Sequence, residues 1–419
     1  MNRTAATVSL LGALPLLGVL ATAAPAAADG ASPAASDLPA VTQQRSDVQQ
    51  SGCWKPSAKT ADRTPWERVY LRPEEAWTRG RGAGVTVAVL GSGVDAAAGG
   101  EGGALAGRLR LGPRLYGQGG SGRDCVGHGT FLAALVAARP GPAGAAAGPA
   151  AGPAAGPVGI APEATVLAVA VTDDAGTTTP DLLAQGIRAA VDGGARIAVV
   201  GVPVPVPSQA LTDAVGYAAA RGVLLVAPAG PDGQPGRDPV YPAGYPGVLA
   251  VAAVGPGGAP TATGSASGPT PARVDLAAPG EGLLATGPGG GQAGSSGPSG
   301  AAAIVGGTAA LLLAREPGLT AGQLTARLES TAYRPGTTLP DPNLGWGTVD
   351  PVAATAAGPP GAAARPADNG LTTGRQRADS RTPPGRWRNV RAALAAPGIM
   401  LGKWWRAKRG RLAQSRRLL

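Results

Sequence analysis

Short apolar runs rich in β-branched residues alternate with helical segments along most of this chain, and this alternation narrows the possible folds more than any other feature. Strands are predicted at residues 85–90 (VTVAVL), 164–171, 195–202, 222–230 and 248–254. Helices are predicted at residues 131–138, 182–194, 211–222, 301–316 and 319–332. Strands separated by helices form parallel βαβ units. The pattern therefore predicts one layered α/β domain over residues 63–356.

The composition suits a globular domain whose core consists of small aliphatic side chains. Hydrophobic residues make up 44% of the 419 residues, aromatic residues only 3%, and the mean hydropathy is +0.06. These values argue against both a polytopic membrane protein and a wholly disordered chain. The two cysteines, Cys53 and Cys125, allow at most one intrachain disulfide. The single histidine, His128, argues against a histidine-rich metal site.

Three glycine-rich turns stand where a parallel sheet would expose its strand ends and helix starts. They lie in residues 85–95, 124–138 and 297–312. A GxG after a strand is weak support for nucleotide binding, because the full GxGxxG pattern is absent. His128 opens a predicted helix between two glycines, which permit a close approach of the backbone. Taken alone, this histidine fits a structural role as well as a catalytic one.

Together, the three turns resemble the Asp, His and Ser blocks of subtilisin-like serine proteases. In particular, the chain resembles the mycosins, the subtilases associated with actinobacterial type VII secretion. The resemblance runs from about Cys53 to Ala354. Its motifs are PWERVYLRPEEAW (65–77), GVTVAVLGSGVD (84–95), DCVGHGT (124–130), VGIAPEATVLAV (158–169), YPAGYPGVLAVAAV (241–254), VDLAAPGEG (274–282), LTAGQLTARLESTA (319–332) and GWGTVDPVAA (345–354). It implies an α/β fold of the subtilisin type, a parallel β-sheet with helices on both faces. It also implies a Cys53–Cys125 disulfide, peptide or protein substrates, and type VII secretion components as partners.

The catalytic groups that the resemblance implies are only partly present. His128 and Ser299 stand at the positions of the catalytic histidine and serine. Gly91 occupies the position of the triad aspartate, which orients the histidine. Pro231 occupies the position of the asparagine that completes the oxyanion hole. The sequence therefore predicts a serine-protease homologue that is inactive or severely impaired.

Two other interpretations stay open at the level of sequence. The first is a working serine endopeptidase that uses Ser299 and His128 with a substitute acid, for which Asp95 and Asp124 are the candidates. The second is a decayed gene product without a role. Loss of the orienting carboxylate costs about 10⁴ in turnover, and loss of an oxyanion donor about 10²–10³, so the impaired homologue is favoured. No motif indicates a cofactor or a bound metal.

The two ends of the chain carry signals of a different kind. An apolar run at residues 10–20, followed by an A-x-A pattern ending at Ala28, is typical of a secretory signal peptide. The predicted organisation is a signal peptide (1–28), an N-terminal extension (29–62), a peptidase domain (63–356) with a Gly/Ala/Pro-rich insert (140–157), a Pro/Gly-rich linker (357–385) and a basic tryptophan-containing tail (386–419). We therefore expect a protein that is secreted or lies at the extracellular face of the cell envelope.

The basic character of the chain resides in its C-terminal end. Residues 363–419 carry a net charge of +12, whereas the whole chain carries +10. The longest apolar run there, residues 392–402, contains a proline and is too short for a membrane span of about 20 residues. Tryptophans among basic residues favour peripheral contact with an anionic membrane, and a solvated tail is the alternative. Nucleic-acid binding fits the charge but not the secretory route, and we predict none.

Overall fold

The computed structural model describes residues 38–61, 64–117, 120–140, 156–233, 239–261, 273–334, 336 and 338–358. The predicted signal peptide and the basic tail lie outside the described residues, as do most of the Gly/Ala/Pro-rich insert and most of the linker. The predictions made for those segments therefore stay predictions.

A seven-stranded sheet forms the centre of the domain that the structure describes. Its strands are β1 (Thr86–Gly91), β2 (Leu109–Arg114), β3 (Thr165–Ala170), β4 (Ile197–Val200), β5 (Leu224–Pro228), β6 (Val248–Val254) and β7 (Leu276–Pro279). They are all parallel and lie in the order β2-β3-β1-β4-β5-β6-β7. A separate antiparallel pair consists of β8 (Leu283–Thr286) and β9 (Gln292–Ser295). The carboxyl ends of the seven strands consequently share one edge of the sheet.

Helices cover both faces of this sheet. They are α1 (Val48–Ser51), α2 (Trp66–Leu71), α3 (Pro73–Trp77), α4 (His128–Ala137), α5 (Pro180–Asp192), α6 (Gln209–Ala220), α7 (Pro298–Arg315), α8 (Ala321–Thr331) and α9 (Pro351–Ala356). Because side chains alternate along a strand, β1 contributes to two cores. Val87 and Val89 pack with α4 and α7, while Ala88 and Leu90 pack with α5 and α6. The predicted α/β class, a parallel β-sheet with helices on both faces, is confirmed.

The helix α7 passes through the larger of the two cores. It is 18 residues long, and among the described helices it alone is apolar and long enough to cross a membrane. However, 89% of it is buried inside the domain, where it packs against α4 and against β4, β5, β6 and β7. Packing in the core therefore accounts for its composition.

The N-terminal extension is fastened to the domain at several points. Cys53 and Cys125 form a disulfide, and the Trp54 amide donates to the Cys125 carbonyl at 2.8 Å. Further upstream, the Val41 amide donates to the Gly294 carbonyl of β9 at 2.7 Å. These contacts hold the extension beside the turn that precedes α4 and beside β9.

Candidate active site

His128 is the first residue of α4, and glycines allow it to lie against the end of β1. Gly127 precedes it with φ of 86°, a left-handed conformation that favours glycine. A Cβ at Gly129 would lie only 1.9 Å from the Gly93 carbonyl oxygen, so the helix start and the turn after β1 fit together only without that atom. His128 itself is 1% exposed. Its imidazole is therefore fixed at the carboxyl edge of the sheet.

Ser299 is the second residue of α7 and lies next to this histidine. Pro298 occupies the first position of the helix, where its fixed φ and missing N–H are tolerated best. The Ser299 Oγ is 3.0 Å from the His128 Nε2, within hydrogen-bond distance, and the serine is 1% exposed. The structure thus brings together the two residues predicted as nucleophile and base, in the geometry that such a pair requires.

The other nitrogen of the imidazole has no hydrogen-bond partner among the residues that the structure describes. His128 Nδ1 is buried, and the strand β1, which packs against α4, ends at Gly91. A Cβ added at Gly91 would meet only the Cα of Gly129, at 3.8 Å, which is ordinary van der Waals contact. The strand end therefore has space for the first atom of a side chain, and the carboxylate that would fix the ring is absent.

Neither of the two candidate substitute acids contacts the histidine. The Asp95 side chain accepts hydrogen bonds from the backbone amides of Ala97 and Gly289, at 3.1 and 2.7 Å. The Asp124 side chain accepts from the amide of Gly127, and from the amide and hydroxyl of Thr130 at 2.7 Å each. Both carboxylates are thus held by contacts that stabilise turns and the start of α4.

A third carboxylate, which the sequence analysis missed, does contact the histidine. Asp232 Oδ2 lies 3.1 Å from His128 Nε2 and also forms a hydrogen bond with the Ser299 hydroxyl. Asp232 Oδ1 accepts a hydrogen bond from the Ser299 backbone amide at 3.0 Å. The Asp232 side chain is only 5% exposed. One carboxylate therefore contacts every polar atom through which this serine and histidine would act on a substrate.

Two features of the chain make this contact possible. Asp232 directly follows Pro231, so the side chain that reaches the serine comes from one residue after the expected asparagine position. A Cβ at Gly297 would lie 2.0 Å from Asp232 Oδ1, so glycine is required there for the carboxylate to approach. In the sequence, the sign of this contact is an acidic residue, Asp232, directly after the position that lacks the oxyanion donor. Whether that residue reaches the serine depends on the path of the turn after β5, which the sequence does not show.

A cavity of about 310 Å³ opens beside Asp232. The N-terminal extension forms part of its wall through Val41 and Gln43, and Ser295 and Ser296 line it from the side of β9. The Gln43 side-chain amide donates to the Gly201 carbonyl at 2.8 Å. The extension is thus a structural part of the wall of this cavity. Within the described ranges, no group of His, Cys, Asp or Glu side chains has the arrangement of a metal site.

The sequence matches a known protein family and is similar to several of its members. The model of the subtilase family, Peptidase_S8, matches residues 82–347. Mycosin-1 of Mycobacterium tuberculosis is 32% identical over 362 residues, which cover 72% of this chain and 75% of that protein. Subtilisin Savinase of Lederbergia lenta is 33% identical over 305 residues, which cover 70% of this chain and 100% of that protein.

Solved structures give the same result. The structure of MycP1, described as a serine protease and an essential component of the type VII (ESX-1) secretion system, superposes with a TM-score of 0.58 at 29% identity. This superposition covers 77% of the present chain and 94% of MycP1. The predicted resemblance to the mycosins is confirmed in sequence and in fold.

Proposed function

The chain belongs to the subtilase family, and from that premise we propose that it is a mycosin-like component of a type VII secretion system whose peptidase activity is severely impaired. It acts from the extracellular face of the cell envelope as a structural or peptide-binding part of that system. Its partners are the secretion components and peptide or protein ligands. The basic tail, residues 386–419, adds peripheral contact with an anionic membrane surface.

The observation that carries the impairment is the unpartnered Nδ1 of His128, together with a glycine, Gly91, at the position where the resemblance places the triad aspartate. In a serine protease triad the carboxylate accepts the Nδ1 proton, so that Nε2 is free to take the proton of the serine. Removal of that carboxylate alone lowers turnover by about 10⁴. Loss of an oxyanion donor, as at Pro231, by itself lowers turnover by about 10²–10³. The two effects do not simply multiply.

The alternative of an active endopeptidase needs a substitute acid at Nδ1. Asp95 and Asp124 are held elsewhere, and Asp232 reaches the imidazole through Nε2, the nitrogen that must accept the serine proton. An acid on that side does not stabilise the productive tautomer. The geometry therefore favours the impaired homologue.

Genetic complementation tests this function. We expect deletion of the protein in its host to reduce type VII export, and a Ser299→Ala variant to restore export as well as the wild type does. A structural variant, the Cys53→Ser, Cys125→Ser double substitution, is a control that should restore less, because it loosens the extension. Export that depends on Ser299 would show that the proposal is wrong.

A further inference from the structure

The Asp232 carboxylate has a set of partners that determines where the proton on His128 lies. An ionised carboxylate only accepts hydrogen bonds. The Ser299 amide and the Ser299 hydroxyl each donate to it, and the third partner within reach is His128 Nε2. For the imidazole to contribute to this arrangement, Nε2 must carry a proton.

We propose that Asp232 is a positioning residue that locks the site, by holding the His128 proton on Nε2 and by occupying the place where a substrate oxyanion would be stabilised. The lock deepens the proposed function, since it concerns the same subtilase-type site. It assigns a cause for inactivity that is separate from the loss at Gly91.

The first part of the lock concerns the base. With its proton on Nε2, the ring has its lone pair on Nδ1. Gly91 has no side chain that could accept a hydrogen bond from a proton on Nδ1 and so favour that tautomer. A general base for Ser299 needs the opposite tautomer, with the lone pair on Nε2. The contact with Asp232 and the lack of a carboxylate at position 91 therefore favour the same unreactive tautomer.

The second part concerns the oxyanion. The Ser299 amide lies in the first turn of α7, where backbone N–H groups have no partner in the helix and attract negative charge. In acyl transfer such a donor beside the nucleophile stabilises the developing oxygen anion. Here the amide already donates to Asp232 Oδ1 at 3.0 Å. A substrate would place its oxyanion against a carboxylate, and like charges repel.

The lock changes the expected effect of restoring the triad. A Gly91→Asp substitution alone puts His128 between two carboxylates, one at each nitrogen. Such a ring holds both protons and has no lone pair for the serine. Only removal of the Asp232 charge frees Nε2, and Asp232→Asn does this with almost no change of shape. The amide then accepts from the Ser299 N–H through its oxygen and offers its NH₂ to the oxyanion.

Nuclear magnetic resonance of the imidazole tests the first part directly, because His128 is the only histidine in the chain. The secreted protein is labelled with ¹⁵N-histidine and purified without a histidine tag. We expect the proton on Nε2 in the wild type, protons on both nitrogens in Gly91→Asp, and the proton on Nδ1 in Gly91→Asp/Asp232→Asn. A wild-type ring with its proton on Nδ1 would overturn the lock.

Labelling of Ser299 by a fluorophosphonate tests the second part. We expect Gly91→Asp/Asp232→Asn to react about 10²–10³ times faster than Gly91→Asp alone. Gly91→Asp/Asp95→Asn is the matched control, since Asp95 is a neighbouring carboxylate without contact to the imidazole, and it should react like Gly91→Asp. Asp232→Ala replaces Asp232→Asn if the latter folds poorly, as judged by thermal unfolding.

The outcomes separate the two proposals. Equal labelling of Gly91→Asp and Gly91→Asp/Asp232→Asn, or no labelling of either, would overturn the lock while leaving the impaired wild type intact. Rapid labelling of the wild type would instead contradict the proposed function. The position of the His128 proton would still decide whether Asp232 holds the ring.

Discussion

Removal of the Cys53–Cys125 disulfide should destabilise the domain strongly. The bond closes a loop that spans 72 residues. The chain-entropy model assigns such a loop about 4 kcal/mol of stability, through restriction of the unfolded chain. For a domain of this size each kcal/mol corresponds to roughly 2–4 °C in Tm, so the Cys53→Ser, Cys125→Ser variant should melt about 10 °C below the wild type.

The assay is thermal unfolding in the presence and absence of reductant. The wild type should lose stability when reduced and approach the double-serine variant, which should not respond to reductant at all. The Arg45 guanidinium, which donates to the Cys125 carbonyl at 3.3 Å, retains part of the link between extension and domain in both proteins. Equal Tm values for the oxidised wild type and the variant would refute the reasoning, as would free thiols in the purified, unreduced protein.

Two further predictions rest on particular contacts, and a third rests on the sequence of the tail. Gly129→Ala should lower the free energy of unfolding by at least about 2 kcal/mol, because its Cβ would lie 1.9 Å from the Gly93 oxygen. Gly216→Ala in α6 meets nothing within 4 Å, so it should be neutral or slightly stabilising; urea unfolding measures both variants. Gln43→Leu leaves the Gly201 carbonyl without its partner, at about 1–3 kcal/mol, and should expose the extension to limited proteolysis; an unchanged cleavage rate would contradict this. The tail should float with anionic liposomes in a salt-sensitive manner, each basic residue near the surface contributing about 1 kcal/mol, and binding that survives high salt and alkaline carbonate would contradict peripheral contact.

The central strands and the helices between them were predictable because they are buried and strongly patterned. The strand at 85–90 and the helix at 182–194 correspond to β1 and α5 within a residue or two. Burial of β1 on both faces requires a continuous apolar sequence, and burial of one face of α5 requires a clearly amphipathic one. A single chain displays both patterns directly.

The edges of the fold were not predictable in the same way. The strand β2 (LRLGPR) is half exposed at the edge of the sheet and contains Gly112 and Pro113, which disfavour a strand prediction. The strands β8 and β9 are only four residues each, and the glycine and serine content of β9 resembles that of a turn. Their pairing comes from tertiary contacts, which local sequence does not contain.

The candidate site shows the same division. His128 and Ser299 were found from motifs, because glycine-rich turns at helix starts have a recognisable sequence. Asp232 was missed because its role depends on the turn after β5. This turn brings the Asp232 carboxylate to the N-terminal end of α7, against Gly297. Asp232 lies one residue after the position that the family motif specifies, so a comparison with that motif does not identify it.

The proposed impairment requires that Ser299 is not activated in the wild-type protein. The direct measurement is the rate of fluorophosphonate labelling of the wild type, with Ser299→Ala as the background and an active subtilisin as the positive control. We expect wild type and Ser299→Ala to be indistinguishable. Labelling of the wild type that Ser299→Ala abolishes, at a rate near that of the active enzyme, would contradict the account.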